Sequence, residues 1–254
     1  MNPLHPTPAP TQIRLPTLPA AFPTTRDTIH RVAAHILGRR RYALSGKFGL
    51  RATPGGIGTP AFGPDHEVVR ITATVLVCER TGATARTTSL DLRTATLLHA
   101  ATLVDVDLSQ GFEVGQDTPS LGDPSTPLEI DAAAAHALAE WFRYGWAVLD
   151  PVLAAVSPHT QPTVIQLWPE HFDAAFDLAV TPERRTNLGA SPGDSYCPQP
   201  YLYVGPWDGN RPSGSSYWNA PFGAVINYDE LRTSEHAVTA GVAFLQRGIH
   251  LLTS

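Results

Sequence analysis

The sequence predicts an α+β fold: antiparallel β-sheet with flanking helices, arranged as one domain or as two similar helix–strands–helix halves. Three observations carry this. An amphipathic helical pattern around Ile29 is followed by a stretch that alternates in polarity and turns back on itself at Thr81-Gly82. A second helical stripe around Trp141 is again followed by strand-like segments. Nowhere do strands and helices take turns in the βαβ order of a parallel sheet.

Taken in order, residues 1–23 hold seven prolines and predict an extended arm. Residues 24–254 form a single α+β domain, or two packed halves at 24–114 and 128–254. The linker at 115–127 between them is rich in Gly, Asp, Ser and Pro. Thr24 or Thr25 can cap the first helix, whose Ile29, Val32, Ala33, Ile36 and Leu37 share one face. Gly38 and Arg39-Arg40-Arg41 are expected to end it, the arginines offsetting the carbonyl end of its dipole. Residues 46–63 carry six glycines and two prolines, which suggest a short strand entering tight turns. Glu67 to Glu79 reads as one half-buried strand, with Val69, Ile71, Ala73, Val75 and Val77 facing inward. Ala85 to Leu90 returns, and Leu92 to Leu103 is the next helix. Asp131 caps a long helix along Leu138, Trp141, Phe142, Gly145 and Leu149, with Pro151 ending or kinking it. Strands are expected at 163–167, 174–180, 200–205 and 223–227, then a helix from Ser234 to Arg247.

The composition excludes several functions. With 254 residues, 43% of them hydrophobic and 16% charged, the chain can bury a core without disulfides. No apolar run approaches the ~20 residues that span a bilayer, so no membrane role is expected. The start lacks a basic and apolar leader pattern, which points to a cytoplasmic location. The net charge of −5 argues against nucleic acid as a partner, because that binding needs clustered cations. Lysine occurs once, at Lys47, against seventeen arginines, the usage of a GC-rich bacterial genome. Cys78 and Cys197 match no metal or redox spacing.

Four patterns invite a chemical reading. Gly56 to Ala61 fits a loose dinucleotide pattern, but Pro60 removes an amide and no helix is expected after it, so turn glycines explain it better. Gly189-Ala190-Ser191-Pro192-Gly193 fits the nucleophile-elbow pattern. Pro192 lacks the N–H that the oxyanion would need, so a Pro-Gly turn is the simpler reading. His30 and His35 lie five apart on a helix, poorly placed to share a ligand, and read as surface residues. The most informative stretch is 171–180. If extended, Phe172, Phe176, Leu178 and Val180 take one face while His171, Asp173 and Asp177 take the other. That spacing matches no established metal motif, so no metal ligands are assigned and no cofactor is named. Residues 168–228 also hold 11 of the 21 aromatic residues, with Tyr201 and Tyr203 on one strand face.

Several segments together resemble a bacterial protein family known only as a domain of unknown function. They are Leu15 to Pro19 with Thr25 to His30, the turn Thr53 to Gly56, and Leu167-Trp168-Pro169 with Phe172-Asp173. Phe176 to Val180, Asn187 to Asp194 and Pro200 to Tyr203 complete the set. The resemblance implies one full-length domain and no activity; it places Trp168, Asp173, Asn187, Ser191, Asp194 and Tyr201 in recurring motifs.

The leading expectation is a small-molecule binding protein with an aromatic and carboxylate-lined cleft in the C-terminal half. Its candidate ligand contacts are Trp168, Asp173, Asn187, Ser191, Asp194, Tyr201, Tyr203 and Trp207. An enzyme of the hydrolase type would instead use His171 with Asp173 or Asp177, either as acid–base groups or through a metal. An interaction module would dock a partner through the proline-rich arm and exposed aromatics.

Overall fold

The computed structural model of the protein describes residues 13–83, 85–115, 117–212 and 215–254. Among these residues, ten strands form two five-stranded antiparallel sheets, each a simple meander, with helices before and after each. The predicted α+β class is therefore observed. The order helix, five strands, helix runs twice along the chain.

Most of the proline-rich arm, residues 1–12, lies outside the described residues. The rest of it is fastened to the body: Ile13 and Leu15 are buried, and the Tyr228 hydroxyl donates to the Pro16 carbonyl at 2.7 Å. Helix α1 (Phe22–Val32) starts before the threonines, with Pro23 in its first turn and no side-chain cap. All five predicted core positions of this helix are buried. Gly38 does not end it. The helix passes through a π-helical stretch, Ala33–Gly38, and continues as α2 (Arg39–Ser45) until Gly46 adopts the left-handed conformation, φ 66°. Gly38 is instead a close-packing position, where a Cβ would stand 3.2 Å from the Pro169 ring.

The three arginines also depart from the dipole reading, since each ties α2 to another part of the chain. Arg39 donates to the Gln110 carbonyl at 2.6 Å, and Arg41 to the Gly49 carbonyl. Arg40 is buried in a two-pronged ion pair with Glu67, at 2.7 and 3.0 Å, and Arg80 reaches the same carboxylate at 2.7 Å. Burial alone would raise the Glu67 pKa, but the two guanidiniums hold it below its ordinary value.

The first sheet comprises β1 (Arg51–Thr53), β2 (Gly56–Gly58), β3 (Val68–Thr72), β4 (Val75–Arg80) and β5 (Arg86–Asp91), neighbours in that order. The glycines read as turns thus form a strand. A Cβ at Gly56 would lie 2.0 Å from the Ile71 carbonyl oxygen, so the close approach of β3 requires glycine there. The single strand expected over Glu67 to Glu79 is a hairpin. Ala73, at φ 52°, and Thr74 reverse the chain, with Thr72 opposite Val75 and Ile71 opposite Leu76. No Gly, Asn or Asp marks this turn, so the mostly β-branched run Ile71-Thr72-Ala73-Thr74-Val75 conceals it. The reversal slips the set facing the main core from Val75 and Val77 to Leu76 and Cys78, which join Val69 and Ile71 there, while Val77 is buried on the other face.

After a 3₁₀ turn at Leu92–Thr94 comes α3 (Leu97–Val104), capped by Thr96, so the expected helix over 92–103 is two elements. The linker is held against the first helix: Arg31 donates to the Leu121 carbonyl at 2.6 Å, and His35 to Pro119 at 2.7 Å. His35 is buried, not a surface residue. Helix α4 (Ala132–Ala155) is capped by Asp131 as predicted, accepting from the Ala134 amide at 2.8 Å. Pro151 does not end it. The helix runs four residues further, carrying Val152 into the core.

The second sheet comprises β6 (Gln166–Trp168), β7 (Asp173–Thr181), β8 (Arg184–Ser191), β9 (Tyr201–Pro206) and β10 (Ala224–Asn227). Strand β8 was not expected, because Arg184-Arg185 and Asn187 mask its inward Thr186, Leu188 and Ala190. Two helices close the chain, α5 (Tyr228–Thr233) and α6 (Ala237–Thr253), in place of one capped at Ser234. The sheets meet edge to edge where Leu50 and Leu167 exchange backbone hydrogen bonds of 2.7 and 2.8 Å. Helix α4 packs against strands of both sheets, and α6 against the second. One continuous hydrophobic cluster includes residues of both sheets and of α1, α3, α4 and α6. Cys78 and Cys197 are free thiols. Among the described residues, no helix is long and apolar enough to cross a membrane.

Candidate functional site

Only one face of the second sheet is covered by α4 and α6. Period-two alternation sends Ala174, Phe176, Leu178, Leu188, Ala190, Leu202 and Val204 into the core. Their neighbours Asp173, Ala175, Asp177, Asn187, Ser191, Tyr201 and Tyr203 must take the other face, and all of them line a cleft of about 970 Å³. The cross-strand pairs Trp168–Asp173, Asp177–Asn187 and Ser191–Tyr201 set the register of this floor. Its rim comes from α1 (Arg26, Asp27, His30), the linker (Asp117), the 169–172 turn and the 193–196 loop, with Trp207 and Phe222. All eight candidate ligand contacts read from the sequence therefore line one cleft.

Two tyrosine–carboxylate pairs dominate the floor. The Tyr203 hydroxyl donates to Asp173 Oδ2, and the Tyr201 hydroxyl donates to Asp194 Oδ2 at 2.5 Å. Asp194 Oδ1 also accepts from the Tyr196 and Cys197 amides at 2.8 and 3.1 Å, so this aspartate is built into its turn. Asp173 is 7% exposed, and its Oδ1 has no hydrogen-bond partner. Burial raises its pKa, against the opposing pull of the Tyr203 hydrogen bond and of His171. Burial and the adjacent carboxylates raise both phenols as well. Gly189 leaves the space Tyr203 occupies, because a Cβ there would stand 2.5 Å from the ring.

Phe172 aims Asp173 into the cleft. It is held at φ 58°, its amide donates to the Trp168 carbonyl at 2.7 Å, and its ring lies between His30 (stacked, 4.7 Å) and Phe142 (edge-on, 5.3 Å). This left-handed residue breaks the alternation just before β7 begins. His171 therefore does not share the strand face of Asp173 and Asp177, as the sequence led us to expect. It sits at the rim, pairing with Asp117 at 2.9 Å. Asp177 is bound to Arg185, whose Nε donates at 2.5 Å, and accepts from the Thr163 hydroxyl at 2.9 Å. Among the described residues, no group of three or more His, Cys, Asp or Glu is placed to hold a metal ion.

The remaining candidates have local roles too. Asn187 Oδ1 accepts from the Trp207 indole N–H at 2.6 Å, leaving that ring exposed at the rim beneath Arg185. Ser191 accepts from the Gly193 amide at 3.1 Å. No helix follows Ser191 before β9, so the segment is a turn and not a nucleophile elbow.

Sequence reasoning missed three contributors. Glu170 is 5% exposed, with Oε2 lacking a partner and its pKa raised by burial, with Asp173 and Asp117 adding to it. Its signal was weak: one acidic residue between Pro169 and His171. Arg26 is buried, pairs with Asp27 at 2.8 Å and donates to the Pro198 carbonyl at 3.0 Å. His30, read as surface, bonds through Nε2 to the Pro169 carbonyl at 2.8 Å. A carbonyl only accepts, so the proton resides on Nε2.

Burial lowers the His30 pKa to about 4, outweighing the hydrogen bond to Pro169. A folded value below the unfolded one gives stability that is present above pH 6.5 and lost as pH falls through about 4. Charging this imidazole inside the fold costs roughly 3 kcal/mol. Asp173 and Glu170 act oppositely, since raised carboxyl pKa values give stability that is lost as pH rises through them. Chemical denaturation of the wild type and His30→Gln between pH 7 and 4 isolates the histidine. The wild type loses more stability on acidification; parallel profiles would remove the buried-histidine assignment.

Comparison with family models, with curated proteins and with solved structures gives no match.

Proposed function

We propose that the protein binds a small organic molecule in the cleft on the open face of the second sheet. Asp173 carries this reading: a nearly fully buried carboxyl in an aromatic-walled cleft, with one oxygen satisfied by Tyr203 and the other unpartnered. Buried polar atoms are satisfied in nearly all native structures, and one lining a concave site invites a ligand donor. The volume is that of a small-molecule site, and polar and aromatic side chains converge on it. A hydrolytic reading needs His171 to engage Asp173 or Asp177. His171 is paired with Asp117 instead, and Asp177 with Arg185, so binding is favoured.

A native mass spectrum of the full chain, set against its denatured mass, tests the proposal. An organic adduct of a few hundred daltons is expected, or a melting shift with a compound from a metabolite panel. Alanine at both Asp173 and Tyr201 should abolish either signal, with circular dichroism showing the fold retained. A bare mass with no shift across the panel, or an adduct that persists in the double variant, would overturn it.

A further inference from the structure

Counting the charges around the cleft narrows what can occupy it. Each cation that lines it is already matched: Arg26 by Asp27, and His171, when protonated, by Asp117. Among the carboxylates, Asp177 is matched by Arg185 from outside the lining. That leaves Glu170, Asp173 and Asp194, for which no ion pair exists among the described residues. Glu170 and Asp173 are each more than nine-tenths buried and hold one carboxyl oxygen with no hydrogen-bond partner. Isolated buried carboxylates are expensive, and an ionised one is stabilised mainly by a neighbouring positive charge or by donors.

Aromatic rings stand beside them. Tyr196, Tyr201, Tyr203 and Phe222 form one cluster, with centroids 5.0 Å apart for Tyr196–Phe222 and 6.3 Å for both Tyr201–Phe222 and Tyr203–Phe222. Trp168 and Trp207 also line the cleft. Ring faces are electron-rich and attract organic cations, most strongly where water is excluded. His30, the other basic side chain of the lining, is kept neutral by burial, so it adds no positive charge that would repel a cation.

We infer that the ligand is an organic ammonium ion, its nitrogen bonded to the unpartnered oxygens of Asp173 and Glu170 and its carbon body held against the tyrosine–phenylalanine cluster. This rests on the binding-site reading above and specifies its chemical class. When ionised, the three carboxyls without an ion-pair partner disfavour anionic ligands, since each would present like charge. A neutral aromatic compound would fill the volume but leave the carboxyls without a counter-charge.

The test is charge selectivity at constant shape, at pH 8 and low salt. The probes are phenethylamine against 2-phenylethanol and 1,4-diaminobutane against 1,4-butanediol, with phenylacetate as the anion. Binding to the full-length protein is read by calorimetry and by the change in tryptophan fluorescence, since Trp168 and Trp207 line the cleft. At least one ammonium probe is expected to bind tenfold or more tightly than its neutral partner. Asp173→Asn should erase most of that preference, and Glu170→Gln should reduce it. Equal or tighter binding of the neutral or anionic probes would overturn the ammonium assignment while leaving the cleft a binding site. If no probe of any charge binds and the protein also purifies bare, the ammonium assignment and the binding-site reading fall together.

Discussion

Glu67→Ala is expected to destabilise the protein by about 3–5 kcal/mol, the cost typical of removing one partner from a buried ion pair. Glu67 is 2% exposed and accepts from two arginines that approach from different elements, Arg40 on α2 and Arg80 on β4. Without it, the Arg40 guanidinium keeps only the Asp105 carbonyl at 3.2 Å and the exposed Asp105 carboxylate at 3.6 Å. Removing Arg80 should matter much less, because its side chain is 26% exposed and Glu67 keeps its two-pronged pair with Arg40. The pH dependence follows from the sign of the Glu67 shift. A lowered folded pKa gives stability that is present above the ordinary value of 4.5 and lost as pH falls through the folded one. Urea denaturation of Glu67→Ala, Arg80→Ala and wild type at pH 7 and 3.5 measures both effects. A loss under 1 kcal/mol in Glu67→Ala, or no convergence with wild type in acid, would contradict the assignment.

Trp141→Ala should cost a similar amount, about 3–5 kcal/mol, through the cavity left where α4 packs into the core. The Trp141 side chain is wholly buried, with its ring 5.4 Å from Tyr144 and 5.7 Å from Tyr228. Both neighbours make long-range hydrogen bonds: Tyr144 to the Ala237 carbonyl at 2.9 Å, and Tyr228 to Pro16. The damage should therefore spread to the start of α6 and to the hold on the arm. Trp141→Phe is expected to cost much less than the alanine variant. It keeps most of the ring volume and removes an indole N–H that has no hydrogen-bond partner. Thermal unfolding with limited proteolysis of the arm separates the cases. Equal losses in the two variants would mean that cavity size is not what sets the cost.

The helices were the most legible part of the sequence. The buried faces of α1 and α4 and the Asp131 cap follow from spacing and from one side-chain bond to a local amide, which are local properties. The α+β class followed for the same reason, since it depends on the order of elements and not on their contacts. Strand alternation put Asp173 and Asp177 on one face of their strand, and Tyr201 and Tyr203 on one face of theirs, because side-chain direction along a strand repeats every two residues. Asn187 and Ser191 entered as ligand contacts only through the resemblance, since their strand was not expected.

What the sequence could not determine depends on contacts between distant segments. The hairpin at Ala73-Thr74 carries no turn residue; strand pairing and the hydrogen bond from the Ala73 amide to the Gly55 carbonyl at 2.8 Å hold it. Gly38 looked like a helix stop, but Pro169 packs against it and the helix continues. The arginines of α2 looked like a solvated helix end, and only the fold brings Glu67 and the Gln110 and Gly49 carbonyls to them. At the site, local periodicity chose the face but tertiary structure chose its members. Phe172, pinned between His30 and Phe142, turns His171 away from Asp173, while the 169–172 turn brings in Glu170 and α1 brings in Arg26. Alternation is a property of the backbone within one strand; a carboxyl's burial, and whether it meets a counter-charge, are set by segments tens of residues away.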